Sequence, residues 1–204
     1  DTRGSYNTTT PANYGIIKAK DNNCWMTDNL NLYNRTVSYI DTDIPSGSYT
    51  ISNTSSWTGN TYNTSKVHRA TNSGYTDQVY YNWCSAVGLT TTCNTTEQQD
   101  RSICPKGWNL PIKSKYTKLF NSYNITTATS LLNTIALGYK KYYGYYSIDT
   151  QEEILQGSSS AFWYSSPYTN THANGLIYTK DTDLIDVTDY SRKDLGISIR
   201  CLAR

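Results

Sequence analysis

The side chains of this chain that could do chemistry are few and poorly spaced for it. Its two histidines, His68 and His172, stand in polar stretches far apart in the sequence. Neither has a nucleophile and an orienting carboxylate that the sequence places beside it, so both read as solvated loop positions. Glu152 and Glu153 are the adjacent carboxylates that glycoside hydrolysis could recruit. Neighbours on a strand point to opposite faces, however, and the pair reads as solvated charge. The five cysteines, Cys24, Cys84, Cys93, Cys104 and Cys201, contain no Cys-x-x-Cys and no histidine at zinc spacing. Asp181, Asp183, Asp186 and Asp189 do not follow the EF-hand spacing, and strand alternation aligns only Asp181 with Asp183, which makes that pair the calcium candidate. No glycine-rich phosphate loop is present. The expectation is a chain without catalysis and without a resident cofactor.

Composition points instead to non-covalent contact. There are 20 tyrosines and 5 tryptophans against 2 phenylalanines, set among Asn, Ser and Thr. Tyrosine supplies stiff contact area with a polar tip, and Ser and Asn supply adaptable hydrogen bonds, as on binding surfaces. Strand propensity accounts for part of this usage, though it would not exclude Phe so thoroughly. The net charge of +2 is scattered and gives no electrostatic case for nucleic acid. Without a zinc pattern the cysteines read as disulfides formed in an oxidising compartment, with Cys84 and Cys93 close enough to shut a local loop. No run approaches the roughly 20 apolar residues of a membrane span. The sequence starts at Asp1 and its one methionine is Met26, which suggests a trimmed ectodomain whose membrane anchor, if any, has been removed.

The elements that must position such a surface are read from pattern. With 204 residues the chain suits one domain, 1–204, with residues 1–13 as a polar, mobile lead-in. Residues 14–20 read as a first strand, Asp21-Asn22-Asn23 as a turn and Cys24-Trp25-Met26 as its partner, followed by the inward leucines Leu30 and Leu32. Residues 37–72 form a long Thr/Asn-rich insertion with room for one hairpin. Residues 75–87 fit strand and helix equally. Apolar positions Ile112, Tyr116, Leu119, Phe120 and Tyr123 have helical spacing over 112–123, and Pro111 suits the helix entry. A second short helix is expected over 128–135, with Leu131, Leu132, Ile135 and Leu137 in the core. In the Tyr/Gly run 138–146 alternation would leave some tyrosines in solvent. Residues 161–166 and 175–180 read as central strands and 195–202 as the closing one. Trp25, Trp83, Trp108 and Trp163 are the expected core anchors, with Trp57 in a loop.

The octet Cys104-Pro105-Lys106-Gly107-Trp108-Asn109-Leu110-Pro111 resembles the Cys-Pro-x-Gly-Trp-x-Leu-Pro signature of the Fibrobacter succinogenes major paralogous domain, a secreted bacterial module that looks like a variant of the C-type lectin fold. Trp25-Met26-Thr27-Asp28-Asn29-Leu30, Tyr81-Asn82-Trp83, Phe162-Trp163-Tyr164-Ser165-Ser166 and Ser198-Ile199-Arg200-Cys201 are similar to further markers of that family, in its order. Tyr164 interrupts the family's Trp-Ser-Ser, and residues 37–71 are an insertion. The resemblance implies an α+β, C-type lectin-like fold: a small twisted antiparallel sheet, two flanking helices and long ordered loops. It implies a Cys104–Cys201 disulfide, which leaves Cys24 over. It also implies a ligand face made by Tyr164, Tyr168, Asn170, His172, Asn174, Tyr178, Asp183, Tyr190 and Arg192. The Glu-Pro-Asn or Gln-Pro-Asp calcium motif of sugar-binding lectins is absent. The implied function is that of an adhesin-like module on a bacterial cell surface or secreted from it, which binds a glycan or a protein. A subunit or head domain of a surface filament is the alternative, with self-association as its partner chemistry. A variable protein diversified by a retroelement is a third possibility.

Overall fold

The computed structural model describes residues 13–33, 35–38, 48–51, 57, 64–71, 73–75, 78–89, 93–97, 99, 101–139, 141–187 and 190–204. The lead-in, apart from Asn13, and most of the 37–72 insertion lie outside the described residues.

Strand β1 (Ile16–Lys18) pairs with β2 (Cys24–Met26), Ile17 facing Trp25. Asn22 takes φ 67 in the turn between them, and the Asp21 carboxylate accepts bonds from the Asn23 N–H and the Trp25 indole, both 3.1 Å. The polar turn residues thus fix the hairpin that carries the first tryptophan. Within the insertion β3 (Arg35–Ser38) and β4 (Ser48–Ile51) form a hairpin, and β5 (Val67–Arg69) pairs with β6 (Val79–Tyr81). Asn82 then accepts a bond from the Ser85 N–H and starts the short helix α1 (Trp83–Ala86). The ambiguous stretch 75–87 is both elements in turn, divided at a cap.

After β7 (Trp108–Asn109) comes helix α2 (Lys113–Tyr123), which buries Tyr116, Leu119 and Phe120 and ends on Asn124 in the left-handed region. Ile112 is its N-cap and 39% exposed, so it stands off the predicted apolar face. Thr127 and Ser130 build a capping box for α3 (Ala128–Asn133). The helix tightens afterwards into a 3-10 turn, Ile135–Leu137, that keeps Leu137 inside and turns Ile135 outward, 87% exposed. Ile135 is therefore not a core residue.

Hairpin β8 (Tyr145–Ser147) and β9 (Glu152–Ile154) leads to the longest pair, β10 (Ser159–Pro167) with β11 (His172–Thr179). The far side of β11 holds β12 (Ile185–Asp186) and β13 (Tyr190–Arg192). The last strand, β14 (Leu202–Ala203), lies between β2 and β7, giving a four-stranded sheet in the order β1-β2-β14-β7. Leu202 faces Trp25 on one side and Asn109 on the other. The disulfides Cys84–Cys93 and Cys104–Cys201 are formed, and Cys24 is a free thiol. The architecture is α+β, with mostly antiparallel sheets and few helices.

The closing segment departs from a continuous strand. Its backbone bonds run to a different element at almost every residue: Ile197 exchanges with Tyr81, Ser198 with Ala161 and Trp163, while Ile199 and Cys201 accept from Leu30 and Met26. A segment shared among four neighbours cannot keep one ladder, so only Leu202–Ala203 is regular. Arg200, 1% exposed in this thread, donates to the Leu137, Gly138 and Asn29 oxygens and lies 3.9 Å over the Tyr139 ring. Gly138, at φ +70, is required beside it, since a Cβ there would sit 2.1 Å from the Thr27 carbonyl oxygen.

Three apolar clusters fill the interior, one around Trp83 and Trp163, one around Trp25, Tyr116 and Phe162, and one around Trp57, Tyr80 and Tyr146. Trp57 stands outside helix and strand as expected but is fully buried, while Trp108 is only partly buried and packs on the rim. In the Tyr/Gly run Tyr139, Tyr143 and Tyr146 are all buried.

Candidate functional site

The residues predicted for the ligand face do not all reach solvent. Tyr164 and Tyr178 have no exposed surface. Tyr164 stacks on Tyr116 with ring centroids 5.1 Å apart, and the Tyr178 hydroxyl donates to the Lys141 carbonyl at 3.0 Å. For Tyr164 the physical reason is that β10 is buried at every residue from Ser159 to Ser165, so alternation does not bring either side of it to solvent, whereas β11 alternates and Tyr178 lies on its buried face. Arg192 is committed to Asp149 at 2.7 Å and Asp194 at 2.8 Å. Asp183 accepts from the Thr129 N–H at 2.6 Å in the first turn of α3, and those Thr129 bonds hold its carboxyl below the usual range. It thus serves as a helix-end partner rather than a ligand. Asn174 donates to the Ser166 and Pro167 carbonyls, bridging the irregular end of the β10–β11 pair. Tyr168 and Asn170 are exposed at the tip of that pair, with half-buried His172 hydrogen-bonded to Thr171 beside them. Tyr190 is on β13, and its side chain lies outside those described. For the calcium candidate, Asp181 is exposed and Asp183 is engaged as above. Among the described residues no three His, Cys, Asp or Glu side chains gather where they could hold a metal.

A polar cluster that the sequence did not suggest lies at the edge of the third apolar cluster. His68 on β5 bonds Glu153 on β9 through Nε2 at 2.9 Å, and its ring stacks on Tyr146 with centroids 4.0 Å apart. Glu153 also accepts from the Thr71 N–H at 2.6 Å, the Thr71 hydroxyl and the Gln156 amide. Burial lowers the His68 pKa, against the opposing pull of Glu153. Neither residue is solvated as expected: the side chains are 15% and 8% exposed. The Glu153 carboxylate is engaged by structural donors, while its neighbour Glu152 is exposed and lines the same small pocket. With the partners 85 positions apart, no local pattern could have signalled the contact.

A larger concavity than the one beside His68 lies elsewhere, along the outer side of α2. The groove has a volume of about 1180 Å³ and is floored by Pro111, Ile112 and Leu202. Lys113, Thr117, Lys118 and Asn121 of α2 form one wall. Ser165 and Ser166 at the end of β10 form the other, with Gln99 beside them. The walls are held rigidly, because the Ser165 N–H donates to the Pro111 carbonyl and the Arg204 N–H to that of Gly107. The helix presents this polar stripe because Tyr116, Leu119 and Phe120 take the opposite side into the core. The stripe was readable as the polar face of a predicted helix. That it faces a groove was not, since β14 and the end of β10 reach it only through long-range pairing.

Comparison with known proteins gives no match to a family model, to a curated protein or to a solved structure.

Proposed function

We propose that the chain is an extracellular, non-catalytic binding module of the Fibrobacter succinogenes major paralogous domain type, with a C-type lectin-like fold, and that it recognises a glycan or protein surface through the groove beside α2. The observation that carries this reading is the groove itself. It is an open concavity with walls fixed by backbone bonds, whereas the histidine, glutamate and arginine side chains of interest elsewhere are engaged in structural contacts. Insertion of the C-terminal strand between β2 and β7, behind a disulfide, supports the lectin-like assignment, because such folds bring the end of the chain back to its early strands. The two disulfides support an oxidising compartment, and among the described residues no helix is long and apolar enough to cross a membrane.

The reading is tested with a glycan and surface-protein array probed with the purified domain and with Thr117→Trp, which fills the groove from an outward helix position. The expected result is binding by the parent and at least about tenfold weaker binding by the variant at unchanged thermal stability. Equal binding by both would overturn the groove as the site.

A second reading, a filament subunit, is favoured by Ile16 on edge strand β1 and by Ile135, which are 58% and 87% exposed. Electron microscopy of native material distinguishes the two. Polymers with the groove filled by a neighbouring subunit would favour the building block, and monomers would favour the binding module.

A further inference from the structure

From the chemistry of the same groove, and resting on the reading just given, we infer that its ligand is an acidic polysaccharide, one that carries uronate or sulfate groups along a hydroxylated chain.

The first argument is charge. Among the described residues the groove is lined by Lys113, Lys115, Lys118 and Arg204 and by no aspartate or glutamate. The whole chain has 18 basic against 16 acidic residues, so this concentration of one sign is local. Lys115 reaches Asn23 at 3.2 Å, while Lys113 and Lys118 form no ion pair with any described residue. A cleft lined by one sign of charge concentrates the opposite one. The N-terminus of α2 opens at the same place. This 11-residue helix has no acidic residue in its first turn and no side-chain cap at Ile112, so its positive dipole end adds to the lysines.

The second argument is what the lining lacks. None of the described groove residues is aromatic, in a chain otherwise crowded with tyrosine. A neutral sugar would therefore find no ring on which to lay its apolar face. What the walls offer are hydroxyls and amides: Ser114, Thr117, Asn121, Ser165 and Ser166. These can exchange hydrogen bonds with sugar hydroxyls while the lysines engage the charged groups. The groove is also open to solvent rather than enclosed, which suits a segment within a polymer.

The test is fluorescence anisotropy with labelled oligogalacturonate and heparin oligosaccharides, against neutral xylo-oligosaccharides, polyglutamate and an oligonucleotide of matched charge. Binding of an acidic glycan is expected to weaken at least tenfold between about 0.05 M and about 0.5 M NaCl. Replacing Lys113→Gln together with Lys118→Gln should weaken it about tenfold with an unchanged melting temperature, since both side chains are exposed. Salt-insensitive binding of the neutral oligosaccharide, blocked by Thr117→Trp, would overturn the acidic ligand and leave the groove reading intact. Polyglutamate or the oligonucleotide binding as tightly as the glycan would overturn the polysaccharide. Failure of both acidic glycans to bind at low salt, or binding that the lysine substitutions do not change, would overturn the inference altogether.

Discussion

The β10–β11 sheet and the groove beside α2 both carry the polar, ring-bearing or amide side chains expected of a binding surface, yet they use them oppositely. In the sheet Tyr164 and Tyr178 are packed against Tyr116, Phe162 and Tyr139, and their apolar area is the core of that half of the molecule. In the groove small polar groups and lysines face outward over a helix whose own tyrosine, Tyr116, points inward. Tyrosine here takes the place that Phe and Leu hold in other interiors, since its ring buries as much area and only its hydroxyl needs attention. Richness in tyrosine is thus a mark of the core in this chain, and the groove proposed as the binding surface is where tyrosine is missing.

The sharpest way to break that comparison is truncation on each side of it. Tyr164→Ala should lower the unfolding free energy by about 3–5 kcal/mol, since it empties a site walled by Tyr116 and the second apolar cluster. Tyr168→Ala, at a position 55% exposed on the same hairpin, should cost less than about 1 kcal/mol. Urea denaturation of both variants checks the pair. Similar losses for the two would mean that the tyrosines of this sheet do not divide into core and surface as described.

How much of this was readable in the sequence depends on the range of the interaction. The β1–β2 hairpin, helix α2 and the β10–β11 pair were readable because turn residues and apolar periodicity act over a few positions. The Cys84–Cys93 closure was readable from short spacing, and Cys104–Cys201 only through resemblance to a known family. Tyr164 and Tyr178 were placed on a surface through the resemblance to that family; Tyr164 instead lies on a strand covered on both sides, where alternation vanishes, and Tyr178 on the buried face of a strand that does alternate. The His68–Glu153 contact, the burial of Trp57 and the divided loyalty of 197–201 all depend on partners that nothing local announces. Arg200 is the extreme instance: a cation inside the core, held by carbonyls, an asparagine and a tyrosine ring. Its motif marked it for a closing strand without saying what it would touch.

Two lysines extend the comparison to charge. Lys118 at the groove is exposed and should affect binding alone. Lys193 is buried over the Trp83 ring, 4.2 Å from its centroid, and donates to the Cys93 and Thr95 carbonyls. Burial pushes its pKa down to about 8 from the model-compound value of 10.5. Between those two values the unfolded chain binds more protons at this site than the folded one, so stability rises with pH across the window. Below about 8 both states are charged and the cost of burying the ammonium is fully present. Thermal melts from pH 7.5 to 9.5, reported as the difference between the parent and Lys193→Met, should show the parent gaining by a few degrees relative to the variant. A flat difference would mean that Lys193 keeps its ordinary pKa and is effectively solvated.

The smallest expected effect concerns single hydroxyls within the core. Tyr164 and Tyr178 are equally buried, and burial raises the pKa of both well above the tyrosine norm. Their hydroxyls nevertheless differ: that of Tyr178 donates to the Lys141 carbonyl, whereas that of Tyr164 has no hydrogen-bond partner among the described residues. Removing a satisfied hydroxyl loses a bond and strands its acceptor, so Tyr178→Phe should cost about 1 kcal/mol. Removing an unsatisfied one relieves a desolvated dipole, so Tyr164→Phe should be neutral or stabilising by up to about 1 kcal/mol. Urea midpoints at constant slope would separate the two, and a loss at Tyr164→Phe matching that at Tyr178→Phe would mean the Tyr164 hydroxyl is satisfied after all. The opposite signs follow from one rule. In this interior tyrosine is retained for its ring, and its oxygen stabilises the fold only where a neighbour accepts the proton.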